Sequence, residues 1–329
     1  MNYHSIYRTE TPDFLLRLCL TPPLRRLKDV GMNCGCEYTA FPRFAGIERY
    51  TRFEHSLGAA LIVWRFTRDE KQAAAALLHD IATPVFAHVV DFLRGDYLEQ
   101  TATENGTAEL IRSDAALGAA LRSLGLETAE VEDYHRYPIA DNDSPHLSAD
   151  RLDYTCGNAV NFGLAERGEL TELFADLRVG ENEHGETELV FQDREKAARF
   201  AFLALDCSRI YVCDADRYAM QRLSELLRAA LAAGAIEEND LASTETAVIA
   251  KLCADPACAA EWKAFRALSR TGRAENPGEG KPWRKIFAKH RRIDPFVAGR
   301  GRVSALDGAF AAELNGFMNE KHDYFVLGE

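Results

Sequence analysis

Apolar residues recur along this chain mainly at the three- and four-residue spacing of helices. Thr51-Arg52-Phe53-Glu54 reads as a capping box, in which the Thr51 hydroxyl accepts a first-turn amide and Glu54 reaches back. Phe53, Leu57, Ala60, Leu61 and Trp64 then mark one face of an amphipathic helix. A second helix, about Lys71 to Ala82, is almost wholly apolar from Ala73 to Leu78 and is expected to be central. Thr83-Pro84 ends it and starts a third helix running to Arg94 and stopped by Gly95, since proline fits a first helical turn but not an interior. Further helices are expected over 107–124 and 128–137, and from Ser148, which can cap, to about Asn161. Leu177-Arg178-Val179 and Glu188 to Phe191 flank His184-Gly185 as a β-hairpin, and a long helical pattern, bent or split, fills Arg194 to Ala233.

After Gly234 the composition shifts. Residues 240–270 still read as helices, 271–281 as a polar loop, and 281–302 as a basic run expected to be a solvated face. The expectation is an all-α bundle over residues 1–235 with one small β-hairpin, followed by a helical and basic appendage over 236–329.

Charge and cysteine content narrow the function classes. A net charge of −12 argues against general nucleic-acid binding, which rests on clustered Lys and Arg, but leaves room for a local basic pocket. No run of eighteen apolar residues and no basic-then-apolar start occurs, so neither a membrane span nor secretion is expected. The eight cysteines are scattered; Cys34/Cys36 and Cys253/Cys258 lack the spacing of a four-ligand zinc site and read as reduced thiols of a cytoplasmic protein.

Four residues suggest chemistry. His55 lies in the first turn of the capped helix, His79 and Asp80 end the apolar helix, and Asp150 lies in the first turn of the helix begun by Ser148. A carboxylate beside a histidine among Ala and Leu is costly to bury unless it is paired or binds an ion. Two imidazoles and two carboxylates would leave about two open places on a six-coordinate ion, as a catalytic site needs. This mixed set suits Mn, Fe, Co, Ni or Zn better than Mg. Hydrogen-bonded helix ends would also use His-Asp pairs, and the residues alone leave both readings open.

Four segments, in order, resemble HD-domain metal-dependent phosphohydrolases related to the deoxynucleoside triphosphate triphosphohydrolases. They are Arg52-Phe53-Glu54-His55-Ser56-Leu57-Gly58, Leu77-Leu78-His79-Asp80-Ile81, Pro84 to Asp91, and Ala149-Asp150-Arg151-Leu152-Asp153-Tyr154. Thr21 to Gly31 is similar to the arginine-bearing helix before that core, and the likeness spans about residues 15–165. It implies one divalent metal on His55, His79, Asp80 and Asp150, a phosphate contact from Arg52, and Arg151 and Tyr154 facing the substrate. It also implies hydrolysis of a phosphoester or phosphoanhydride by a metal-activated water, in a small phosphorylated substrate of nucleotide type; a homo-oligomer is compatible with the sequence, which does not itself give the oligomeric state. Three positions depart from the triphosphohydrolase pattern: Thr83 and Thr103 stand where histidines are usual, and Asn158 where an aspartate is. His88 and Asp91 remain as the acid/base candidates. The altered positions also support an alternative, a regulatory nucleotide-binding protein without turnover.

Overall fold

The computed structural model describes residues 3–95, 106–287 and 289–329. Helices dominate. Helix α1 (Asp13–Cys19) and α2 (Pro22–Arg26) lead through irregular chain to α3 (Arg52–Thr67) and α4 (Glu70–Leu78). The capping box forms as the sequence requires: Glu54 N–H donates to Thr51 Oγ1 at 3.3 Å, and Thr51 N–H donates to Glu54 Oε2 at 2.9 Å. Asp69 caps α4 by accepting from the amides of Lys71 and Gln72, and Ala73 to Leu78 are all buried.

Helix α4 ends at Leu78, four residues before the expected Ala82, and the next helix, α5 (Val89–Arg94), starts five residues after the expected Pro84. The cause lies far away in sequence. The Arg26 guanidinium takes the carbonyls of Ile81 (2.9 Å) and Thr83 (2.7 Å), which a continued helix would have used. Phe86 and Ala87 then adopt positive φ angles of 57° and 46°, which no helix tolerates.

The expected helix over 107–124 is two, α6 (Thr107–Ser113) and α7 (Ala115–Ser123), because Asp114 turns extended and caps α7 through the Leu117 amide. Residues 128–137 give only α8 (Thr128–Val131) and a 3-10 turn. Helix α9 (Ala149–Asn161) has the expected bounds, with Ser148 as its cap. After α10 (Arg167–Asp176) comes the hairpin of β1 (Leu177–Glu181) and β2 (Thr187–Phe191), with Leu177 opposite Phe191. The long helical pattern is split at Val212-Cys213 into α11 (Arg194–Tyr211) and α12 (Asp214–Ala232).

The last third comprises α13 (Glu245–Ala254), α14 (Pro256–Arg266), β3 (Thr271–Ala274), β4 (Arg284–Lys285), β5 (Phe296–Val297), β6 (Gly301–Arg302), α15 (Val303–Leu306), α16 (Gly308–Met318) and β7 (Phe325–Gly328). Its strands are two to four residues long, too short to print an alternation on the sequence, and they exceed the single hairpin expected. β3, β7 and β4 form one antiparallel sheet. β5 joins β2 in parallel and β6 closes on β5. Buried Glu188 of β2 anchors that closure by accepting both terminal nitrogens of Arg302 at 2.7 and 2.8 Å.

Two apolar cores result. One gathers α1, α3, α4, α9 and α11; the other gathers residues 34–44, 85–92, α12, α13, α14 and Val326. The second core draws on both sides of the 235–236 boundary set by sequence. Among the described residues no helix is long and apolar enough to cross a membrane.

Candidate metal centre and its cavity

His55 projects from the first turn of α3 toward α9. Its Nδ1 lies 2.8 Å from Asp153 Oδ2, and Asp153, fully buried, also accepts the hydroxyls of Tyr7 (2.5 Å), Tyr50 (2.8 Å) and Tyr3 (3.1 Å). A glycine at position 58 makes room for that carboxylate, because a Cβ there would overlap Asp153 Oδ1. Asp153, read from sequence as structural, thus fixes the tautomer of His55: the proton sits on Nδ1 and the Nε2 lone pair points away from it. The signal was its place one turn beyond Asp150 on the same helix.

At the end of α4 the chain does the same for His79, whose Nδ1–H donates to the Ala76 carbonyl at 2.7 Å. A carbonyl can only accept, so here too Nε2 carries the lone pair, an assignment made from the hydrogen-bond network. The two Nε2 atoms lie 3.1 Å apart. Asp150 Oδ1 stands 3.0 Å from one and 3.4 Å from the other, and Asp80 Oδ2 stands 3.8 and 3.7 Å from them. Residues 55, 79 and 80 are therefore brought into one group, and Asp150, from α9, stands beside its two imidazoles.

Two inward lone pairs and two carboxylates this close repel unless positive charge sits among them. A proton on His55 is one solution. Burial opposes it, but hydrogen bonds to Asp150 and Asp153 outweigh burial and push that imidazole up to about 10. A divalent cation is the other, and the donor set of two imidazole nitrogens and two carboxylate oxygens fits it; His55, His79 and Asp80 alone place three ligand atoms within 4.8 Å of one another. Asp80 is held in place on its outer side: Thr83 Oγ1 donates to Oδ1 at 2.9 Å and Arg52 Nη1 to Oδ2 at 2.7 Å. Against the cost of burial, Arg52 first and then the two imidazoles keep the Asp80 carboxyl below its ordinary range.

The centre opens onto a cavity of about 190 Å³ at the seam between the two cores. Arg52, His88 and Tyr154 all line it. Asp91, wholly buried, holds His88 by Nδ1 at 2.8 Å, and the Nε2 of His88 lies 3.4 Å from Arg291. Burial, Arg291 and Arg52 together outweigh Asp91 and lower the His88 imidazole to about 4. The Tyr154 ring packs 6.5 Å from that of His55 and 6.3 Å from that of Tyr211, and burial pushes its hydroxyl up to about 12. Arg151 is placed differently. Its guanidinium donates to Asp141 (2.8 Å), Asn142 (2.9 Å) and Ser148 (3.0 Å), and Asp141, rather than Arg151 itself, is in the wall. Asn158 lines the cavity and donates to the Tyr211 hydroxyl at 2.7 Å; Thr103 lies outside the described residues.

The basic run departs from the solvated face expected of it. Lys289 and Arg291, with Phe287, form part of the cavity wall, while Arg284 and Arg302 are engaged by Glu225 and Glu188. Sequence reasoning missed this, and also Tyr211, Asp141 and Asp216, because none of these positions belongs to a local pattern shared with the four candidate ligands.

No family model matches the chain. It is 28% identical over 267 residues to the metal-dependent phosphohydrolase cns2 of Cordyceps militaris, covering 78% of this chain and 74% of that one. It is 26% identical over 239 residues to the uncharacterised protein YdhJ of Bacillus subtilis, covering 71% and 69%. A crystal structure of a phosphohydrolase from Bacteroides thetaiotaomicron shares the fold, with a TM-score of 0.67 over 97% of this chain and 96% of that one, at 16% identity. The ordered motifs thus converge in space in a chain that is similar, along about three quarters of its length, to a metal-dependent phosphohydrolase and that shares the fold of another phosphohydrolase.

Proposed function

We propose that the chain hydrolyses a phosphate ester of a nucleotide, with His55, His79, Asp80 and Asp150 holding one divalent ion. The observation that carries this reading is the pair of Nε2 lone pairs turned inward beside two carboxylates in the wall of a cavity. When bound, the ion supplies Lewis-acid polarisation and a nucleophilic water at neutral pH. The protein supplies the rest. Arg52, buried and tied to Asp80 through Nη1, keeps a buried Nε without a protein partner and is set to neutralise charge growing on phosphoryl oxygens. His88 stays neutral well below pH 7, so it is available as a proton acceptor, oriented by Asp91. Tyr154 offers a ring surface, and Arg151 acts through Asp141.

A cavity of about 190 Å³ is smaller than the roughly 300–1,000 Å³ of ordinary ligand pockets, which favours a nucleoside monophosphate over a triphosphate. Thr83 and Asn158 support the same choice, since the Thr83 hydroxyl is spent on Asp80 and the Asn158 amide nitrogen on Tyr211. Those two contacts also favour a second reading, a nucleotide-binding regulator without turnover.

Phosphate release from a panel of nucleoside mono- and triphosphates, with Mn, Fe, Co, Ni, Zn or Mg added, separates them. Release that disappears in His79→Ala and Asp80→Ala, with the helical circular dichroism kept, is expected. Nucleotide binding without product over hours would establish the regulator, and retained hydrolysis in those variants would refute the site.

A further inference from the structure

The wall of the cavity at α12 carries a carboxyl that the proposed hydrolysis does not use. Asp216 lines the cavity and is only 8% exposed. Among the described residues it makes no ion pair; its side chain accepts only from the Cys36 thiol, at 3.6 Å. The neighbouring Arg217 also lines the cavity, but its hydrogen bonds go to other groups. Arg217 gives its guanidinium to Asp214 (2.6 Å), to the Val212 carbonyl (2.9 Å), to the Ile286 carbonyl and to the Tyr324 hydroxyl. A buried carboxyl without a counter-ion favours its protonated form. Burial does push Asp216 up, to about 8, against the smaller opposing effects of Cys36 and Arg217.

The surroundings of this carboxyl differ from the metal end. Phe162, Tyr211, Met220 and Phe287 line the same cavity. Together they offer apolar and aromatic surface, and Asp216 is one of the hydrogen-bonding groups set in the wall, with Asn33 and Asn158. Arg52, Lys289 and Arg291 supply cationic groups to the same cavity. Cys34, Arg52 and Asp216 all line this one cavity. A ligand matching this arrangement has a phosphate at one end and a flat heterocycle with a polar edge at the other.

We infer that Asp216 is a specificity-determining residue that reads the hydrogen-bonding edge of a nitrogen heterocycle, one presenting an N–H beside a ring acceptor, while the phosphate lies at the metal end. This deepens the nucleotide reading and rests on it. A protonated carboxyl presents an O–H donor beside a C=O acceptor, so it pairs with both atoms of such an edge and leaves neither unsatisfied. A ring lacking the N–H strands the carboxyl oxygen in a dry site, and sites built to hydrogen-bond a group reject the analogue that lacks it.

The test compares adenosine 3′- and 5′-monophosphates with the corresponding purine riboside monophosphates, which lack the exocyclic amine. Affinity is read as Kd by calorimetry, or as kcat/KM where phosphate is released. The wild-type chain is expected to prefer the aminated member about tenfold, as loss of one buried hydrogen-bond partner implies. Asp216→Asn keeps a donor and an acceptor and retains the preference; Asp216→Leu brings the ratio near one. An unchanged ratio in Asp216→Leu overturns the inference alone. No interaction of the wild-type chain with any nucleotide overturns the nucleotide reading itself. Should the leucine variant not fold, infrared difference spectroscopy on the wild-type chain decides: a protonated-carboxyl band that shifts on nucleotide addition and is absent in Asp216→Asn is expected, and no such band contradicts the assignment.

Discussion

Gly58→Ala isolates the support of the metal centre without touching a ligand. In the interior of α3, alanine would ordinarily stabilise a helix by roughly 0.5–1 kcal/mol over glycine. Here the added Cβ would overlap Asp153 Oδ1, and Asp153 cannot retreat freely because Tyr3, Tyr7 and Tyr50 hold it from the other side. Overpacking of a tight core costs about 1–3 kcal/mol, which exceeds the helical gain, so the net change is destabilising by roughly 1–2 kcal/mol. In a domain this large that lowers Tm by several degrees, at about 2–4 °C per kcal/mol. The displaced carboxylate also loosens His55, and loss of such an outer-shell partner typically costs roughly 10–100-fold in metal affinity. Gly316→Ala is the control, since it lies inside α16 with open space where its Cβ would go, and it is expected to stabilise. Thermal unfolding and equilibrium metal titration of both variants supply the assay. If Gly58→Ala behaves like Gly316→Ala in both, the packing of Asp153 against α3 does not support the centre and the reasoning fails.

Three further outcomes are expected. His88 is held near 4 in the fold against about 6.5 when unfolded, so its contribution to stability is complete above pH 6.5 and is lost as pH falls through 4, by at most about 3 kcal/mol. His88→Gln removes that part of the acid sensitivity, as denaturant unfolding at pH 7 and pH 4.5 would read; an unchanged pH slope contradicts it. Glu188→Ala leaves Arg302 only Glu183 and the Asp294 carbonyl and strips the buried Leu147 amide of its acceptor, and it is expected to destabilise by about 1–3 kcal/mol, while Glu188→Gln, which keeps a hydrogen-bonding oxygen, costs less. Arg291→Ala removes a charge that lowers His88, so nuclear magnetic resonance titration is expected to find the imidazole titrating at higher pH in the variant; the same midpoint would contradict the contact.

What could be read from sequence was what short-range chemistry determines. The Thr51–Glu54 box and the Ser148 cap act over three residues, and they set where α3 and α9 begin, hence where His55 and Asp150 point. The convergence of His55, His79, Asp80 and Asp150 was expected from resemblance and from the cost of burying such groups unpaired. The features missed depend on partners distant in sequence. Arg26 unwinds the chain after His79 from more than fifty residues away, and three tyrosines from positions 3, 7 and 50 convert Asp153 into the anchor of His55. The segment 287–291 reaches the cavity from a region whose composition alone reads as solvated surface.

The central claim is one divalent ion at the meeting point of residues 55, 79, 80 and 150. Crystals grown with Mn or Zn, with anomalous scattering collected at the metal edge, test it most directly. The account predicts a single strong peak within about 2.0–2.2 Å of both Nε2 atoms and of carboxylate oxygens from Asp80 and Asp150, absent from His79→Ala crystals grown the same way. A wild-type crystal with no peak there, or with its peak elsewhere in the molecule, would contradict it.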